Sequence, residues 1–300
     1  EAPDITARIC GICPVAYMMG ASQAMEDALG ITVSGPLRDL RRLVYCGEWI
    51  ESHVLHIYML HAPDFLGLED SIQLAEKMPA VVEKALRLKK LGNTLLETVG
   101  GGRAIHPINL TVGGFYKLPA KAAIKGLAEE LKWAIQASID TIRLVAAFEF
   151  PNIERDYTFV AMRHENEYAI TEGRLVSSKG MDVPIREYDD QLIEEHAEHS
   201  TALRTSVKGR GACLVGPMAR FNLNYDKLTP RAQETARQAR LGKACHNPFK
   251  SILVRGVETV LAFEEAIDII ENYEEPEEPF IEVRPRIGTG YGCTEAPRGI

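Results

Sequence analysis

Arg8-Ile9-Cys10-Gly11-Ile12-Cys13-Pro14 is the stretch around which the rest of the chain is read. Two cysteines separated by two residues can turn both sulfurs toward one ion, because Gly11 lets the backbone turn tightly between them. Pro14 biases Cys13 away from helical φ/ψ and is itself suited to the first position of a helix. The run that follows places Val15, Met18, Met19, Ser22, Met25 and Leu29 at helical spacing, with Gly30 as a stop. Cys13 therefore falls at a helix N-terminus. Unpaired N–H groups and the positive end of the helix dipole favour thiolate there, as does a cation such as Arg8 two residues before Cys10. Thiolates take soft or borderline metals, so nickel, iron and zinc all suit the pair. A structural zinc site shows a second CxxC or HxxxH, whereas Cys46, Cys213, Cys245 and Cys293 are isolated in sequence. A thioredoxin-like redox pair wants a βαβ context, and the flanks here are helical.

Composition narrows the setting. A chain of 300 residues that is 46% hydrophobic can bury a large core. The net charge of -8, without a Lys/Arg block, argues against a nucleic-acid partner. Glu274 to Glu278 reads as a solvated loop. Six cysteines in a chain this long do not make a disulfide framework, which points to a reducing, cytoplasmic setting. No apolar run is long enough to span a membrane, so no transmembrane segment is expected. The chain opens on Glu1 and stops at Ile300 just after a glycine, and we expect a segment of a longer protein.

Further along, Ser34-Gly35-Pro36 opens a second helix with Leu37, Leu40, Val44, Gly47, Ile50, Val54, Ile57 and His61 on one stripe, ended by Pro63. It carries His53, His56 and His61, whose spacings do not gather all three on one metal, so one or two of them are expected to be core or interface histidines with satisfied hydrogen bonds. Asp64 follows at the helix end. Ser71 to Val99 reads as helix, break at Pro79, and helix again. Arg103 to Gly114 is too glycine-rich for a helix interior, and its glycines suit close backbone packing rather than a phosphate loop. Pro119 opens a long helix closed by Pro151. A β-rich insertion is expected at about 153–190, where β-branched and aromatic residues alternate with turn signals. Thr229-Pro230 and Asn247-Pro248 open two more helices, the second running to Tyr273. Phe280 to Arg286 reads as a strand leading to Gly288-Thr-Gly-Tyr-Gly, only a weak dinucleotide signal. The expected fold is mainly α with small β additions, long helices packed around a buried site as one domain over 1–300.

With these segments laid out, Arg8 to Cys13 resembles the N-terminal cysteine motif of the large, catalytic subunit of nickel-iron hydrogenases. The Arg103 to Gly114 stretch resembles that family's glycine and His-Pro block. Glu295-Ala-Pro-Arg-Gly299 resembles its late Glu-Ala-Pro-Arg-Gly block, and His56-Ile-Tyr-Met-Leu-His-Ala-Pro-Asp64 the helix end that faces it. The motifs fall in the family's order across residues 8 to 299. Tyr17 stands where the family commonly has a histidine, a variation associated with the soluble, cofactor-linked or sulfur-reducing branches.

The resemblance implies a nickel-iron centre whose iron carries CO and cyanide. Cys10 would be a terminal nickel ligand and Cys13 would bridge nickel to iron. Arg298 would lie over the iron ligands and the open position, with Pro297 lining the diatomic pocket and Asp64 fixing Arg298's pose. Cys10, as proton acceptor, and Arg298 would thus take part in heterolytic cleavage or formation of H2. His106 would support the site without ligating. The resemblance also implies an iron-sulfur small subunit as electron partner, extends to diaphorase-type NAD(P)/flavin subunits, and allows a nearby Mg or Fe ion with ligands outside this segment. The family's second CxxC is expected beyond Ile300 and its early Arg-Gly-x-Glu before Glu1. Arg255-Gly256-Val257-Glu258 spells the same letters but falls inside a late helix, and coincidence is expected. Since two thiolates cannot complete a four-thiolate site, the segment alone should be inactive. The alternative is a metal-free relative of the large subunit of respiratory complex I, which supports a quinone pocket; Cys10 and Cys13 count against it. A zinc or redox CxxC protein is the third reading.

Overall fold

The computed structural model describes residues 1–104 and 106–300; Ile105, in the glycine and His-Pro block, lies outside the described residues. The apolar-periodic stretches form the long helices Pro14–Leu29, Gly35–Leu55, Pro79–Gly100, Ala128–Ala146 and Ser251–Glu271. Gly35–Leu55 lies between Pro79–Gly100 and Ser251–Glu271, and Ser251–Glu271 also packs on Ala128–Ala146. Every residue from Leu40 to Val54 is buried, as is every residue from Ile252 to Phe263. Helices covered on all sides sit inside a core, so their charged residues must find partners there. Arg41 does so with Glu26 at 2.6 Å and Arg42 with Glu265 at 2.8 Å.

Three expectations are corrected. The helix from Ser34 to Pro63 is α-helical over Gly35–Leu55, widens into a π-helix over His56–His61, and resumes over Ala62–Phe65. Pro63 sits in the first turn of that last piece, where its missing N–H costs nothing, so it does not end the chain's helical course. The helix after Pro119 is split at Gly126 into Lys121–Lys125 and Ala128–Ala146. The strand expected over Phe280 to Arg286 shrinks to one bridge between Gly114 and Phe280, because among the described residues no strand lies alongside the rest.

The β additions are small and antiparallel. Val160–Arg163, Arg174–Ser177 and Asp182–Val183 form one sheet, with Ala161 opposite Val176. Leu192–His196, Leu203–Val207 and Gly211–Ala212 form another, with Glu194 opposite Thr205. The sheet-bearing stretch therefore runs on to Ala212, past the expected 190.

The alternating glycines find their use in packing. Gly288, Gly290 and Gly292 run along the small-residue face of the Pro14–Leu29 helix, against Ala28, Ala24 and Gly20 in turn. A Cβ on Gly290 would stand 2.0 Å from the Ala24 carbonyl oxygen, and one on Gly292 2.3 Å from that of Gly20. Only glycine permits this approach. The segment thus travels toward the helix N-terminus and delivers residues 293–299 to the cysteines.

Candidate metal centre

Local backbone geometry sets up the sulfur pair. Cys13 is the N-cap of the Pro14–Leu29 helix, as the proline predicted. Cys10 Sγ accepts the N–H of Ile12 at 3.4 Å and of Cys13 at 3.3 Å. Burial raises the Cys10 thiol, but its hydrogen bond with Cys13, those two N–H groups and the charge of Arg298 outweigh it, leaving its pKa below the ordinary value. The Cys13 thiol is pushed up, first by burial, then by its bond with Cys10 and by Glu48. Arg8, expected to act on the thiolate, instead meets His106, with Nη1 at 3.2 Å from Nδ1.

Glu48 was not singled out from sequence. Fully buried, it reaches under the helix start and accepts the N–H groups of Val15 at 2.7 Å and Ala16 at 3.2 Å. Burial lifts its carboxyl well above the usual range, against the pull of the Val15 N–H.

A cavity of about 600 Å3 opens over the sulfurs, lined by Cys10, Cys13, Ser52, Pro297 and Arg298 among others. Pro297 is buried and Arg298 exposed. The four residues predicted nearest the chemistry are thus brought to one place by segments almost the whole chain apart. Asp64 is exposed, and among the described residues no ion pair joins it to Arg298; the two act on a common neighbour, raising and lowering the pKa of His61 respectively. His106 is exposed and reaches the cysteine motif through Arg8.

The histidines split in role. His53 is fully buried, with Nε2 at 2.8 Å from Glu258 Oε2, and burial lowers its pKa to about 4. His56 and His61 meet through their Nε2 atoms at 3.0 Å, a contact the π-helix permits by placing residues five apart on one face. Burial, and then the charge of Arg255, lower His56 to about 2. Glu258, from the Arg-Gly-Val-Glu run set aside as coincidence, sits inside the Ser251–Glu271 helix but anchors a buried network. It accepts from Arg220 Nε at 2.7 Å and Tyr168 OH at 2.8 Å. Sequence reading missed Arg220 and Glu258; the available signal was charge in otherwise apolar helical runs.

Residues 1–99 match the family model described as nickel-dependent hydrogenase. Over its whole length the chain is 34% identical to sulfhydrogenase 1 subunit alpha of Pyrococcus furiosus, of which it covers 71%. The chain belongs to the nickel-dependent hydrogenase family. Among solved structures this hydrogenase chain is similar to an NAD+-reducing [NiFe]-hydrogenase in the H2-reduced state, with TM-score 0.89, 23% identity, and 100% of this chain and 72% of that chain covered. The Ni-Fe-Se hydrogenase of Desulfomicrobium baculatum follows at TM-score 0.74 and 19% identity, with 99% and 75% covered, a likeness of fold. The hydrogenase is a large, catalytic subunit with a nickel-dependent centre, an oxidoreductase acting on H2, and the complex I reading is set aside. No helix among the described residues is long and apolar enough to cross a membrane.

The residues suit such a centre in part. The Cys10 and Cys13 sulfurs share a hydrogen bond and face one cavity, a donor set for a soft metal. Among the described residues no group of three or more His, Cys, Asp or Glu gathers around a metal position.

Proposed function

We propose that Cys10 and Cys13 are the residues of this chain that would hold the centre, Cys10 as the ligand to nickel and Cys13 as a ligand shared with an iron that would carry CO and cyanide. When bound, that centre supplies the electron-pair acceptor for heterolytic cleavage of H2. Cys10 would hold and release the proton; its Sγ already accepts the N–H groups of Ile12 and Cys13, which marks it as an acceptor at the cavity. Arg298 offers N–H donors to cyanide nitrogens and stabilises charge as it separates, while Pro297 keeps the neighbouring wall apolar. Asp64 and His106 act at one remove, Asp64 through the His61 environment and His106 through Arg8.

The electrons pass to an iron-sulfur small subunit, a reading supported by the relative's designation as an alpha subunit. The reading extends to diaphorase-type NAD(P)/flavin partners through the cofactor-linked branch that Tyr17 suggests. A cytoplasmic setting is supported by six unpaired cysteines. The observation that carries the proposal is the meeting of Cys10, Cys13, Pro297 and Arg298 around one cavity. In the full hydrogenase complex, Cys10→Ser is expected to abolish H2 uptake and deplete nickel, while Cys213→Ser leaves both near wild type. Undiminished uptake in Cys10→Ser would overturn it, and zinc as the sole metal would favour the structural-zinc reading.

A further inference from the structure

Arg220 stands on the short Pro217–Asn224 helix and is fully buried. A guanidinium has about five N–H donors in one plane, and here each has an acceptor. Nε and Nη2 clasp both oxygens of Glu258 at 2.7 and 2.8 Å. Nη1 donates to Glu295 Oε2 at 3.2 Å and to the Ala296 carbonyl at 2.7 Å, and Nη2 donates to the Pro297 carbonyl at 2.9 Å. The Trp49 ring lies 4.2 Å from the guanidinium carbon, and its indole N–H donates to the Glu295 carbonyl at 3.0 Å.

A buried ion pair is by itself weak evidence for a role beyond the core. Here, however, two of the five donors go to the backbone of residues 296 and 297, in a loop with no strand or helix to satisfy its carbonyls. Those are the two residues immediately before Arg298. An independent contact comes from the residue that starts the same helix. Gly216 has φ +83°, and a Cβ there would stand 2.6 Å from the Arg298 carbonyl oxygen. The helix therefore touches the loop on both sides of the Pro297–Arg298 bond.

We infer that Arg220 is a positioning residue for the H2 site: it clamps the Glu295–Gly299 loop so that Pro297 and Arg298 face the Cys10 and Cys13 sulfurs, with Glu258 holding the clamp in register. The inference rests on the proposed roles of Pro297 and Arg298. Lysine keeps the charge but has three donors around a point and cannot serve this many acceptors in one plane. Arg220→Lys in the full complex should keep nickel and iron at wild-type content, lower kcat for H2 uptake about 100-fold with a smaller change in KM, and speed amide exchange in the 295–299 peptide but not in Gly35–Leu55 or Ser251–Glu271. Trp49→Phe, which removes one N–H to the loop, should show the same pattern with a loss of about tenfold. It decides the matter if Arg220→Lys does not fold.

Uptake within about twofold of wild type, or unchanged exchange at 295–299, overturns the assignment. So does a loss accompanied by faster exchange throughout the chain and missing metal, which marks a purely structural residue. Failure of the underlying reading looks different, since uptake would then survive Cys10→Ser in the otherwise unaltered complex.

Discussion

Glu48 is a core carboxylate whose work is local. Its two oxygens satisfy N–H groups at the start of the helix that carries Cys13, and those donors have no partner within the helix. Glu48→Ala should therefore cost about 1–3 kcal/mol, read as a lower denaturant midpoint, and Glu48→Gln should cost less because an oxygen acceptor remains. Equal midpoints for the two variants would show that the cap is not what Glu48 contributes. At this scale the site was legible where the chemistry is contiguous: Cys10 with Cys13, and Pro297 with Arg298, are neighbours in sequence. Glu48, Arg220 and Glu258 were not legible, because a charge inside an apolar helical run says that a partner exists without saying which one.

The decisive element is the glycine-alternating segment 288–292. Its spacing resembled a nucleotide loop only weakly, and its physical use is contact with the face formed by Gly20, Ala24 and Ala28. Gly290→Ala would force a Cβ into the Ala24 carbonyl, so the segment must lift away. We expect a cost of about 1–3 kcal/mol in thermal unfolding, together with a loss of H2 uptake greater than that destabilisation explains, because residues 293–299 move with it. Wild-type uptake in a folded Gly290→Ala protein would show that the loop does not depend on this track. The π-helix His56–His61 belongs to the same scale. The sequence pattern took this stretch for plain helix ended by Pro63; the widened turn and the His56–His61 contact emerge only once the helix is packed.

For the whole molecule, the buried His53 and the half-buried His56 and His61 set an acid limit. His53 and His56 have folded-state pKa values of about 4 and about 2, and His61 is also lowered, all from an ordinary 6.5. The unfolded chain takes up these protons first, so their contribution to stability is complete above about pH 6.5 and is lost as pH falls below it. Glu48 and Glu295 pull the other way, since burial raises both, Glu295 to about 7. A comparison with a variant isolates the histidine share. The groups bearing on His56 are Arg255, His61, Arg298 and His53. The Tm advantage of wild type over His56→Gln should shrink steadily between pH 7 and 5, and a constant difference would show that His56 is not held neutral by the fold. By itself the sequence determined the sulfur pair, most helix starts, the mainly α architecture and the family resemblance, because each depends on residues within a turn or two of one another. Only the tertiary structure decided how Arg220 meets Glu258 and the 295–299 loop, how the cysteines meet Arg298, and that among the described residues no ion pair joins Arg298 to Asp64. Those contacts join segments tens to hundreds of residues apart, and local spacing carries no information about which buried charge will face which.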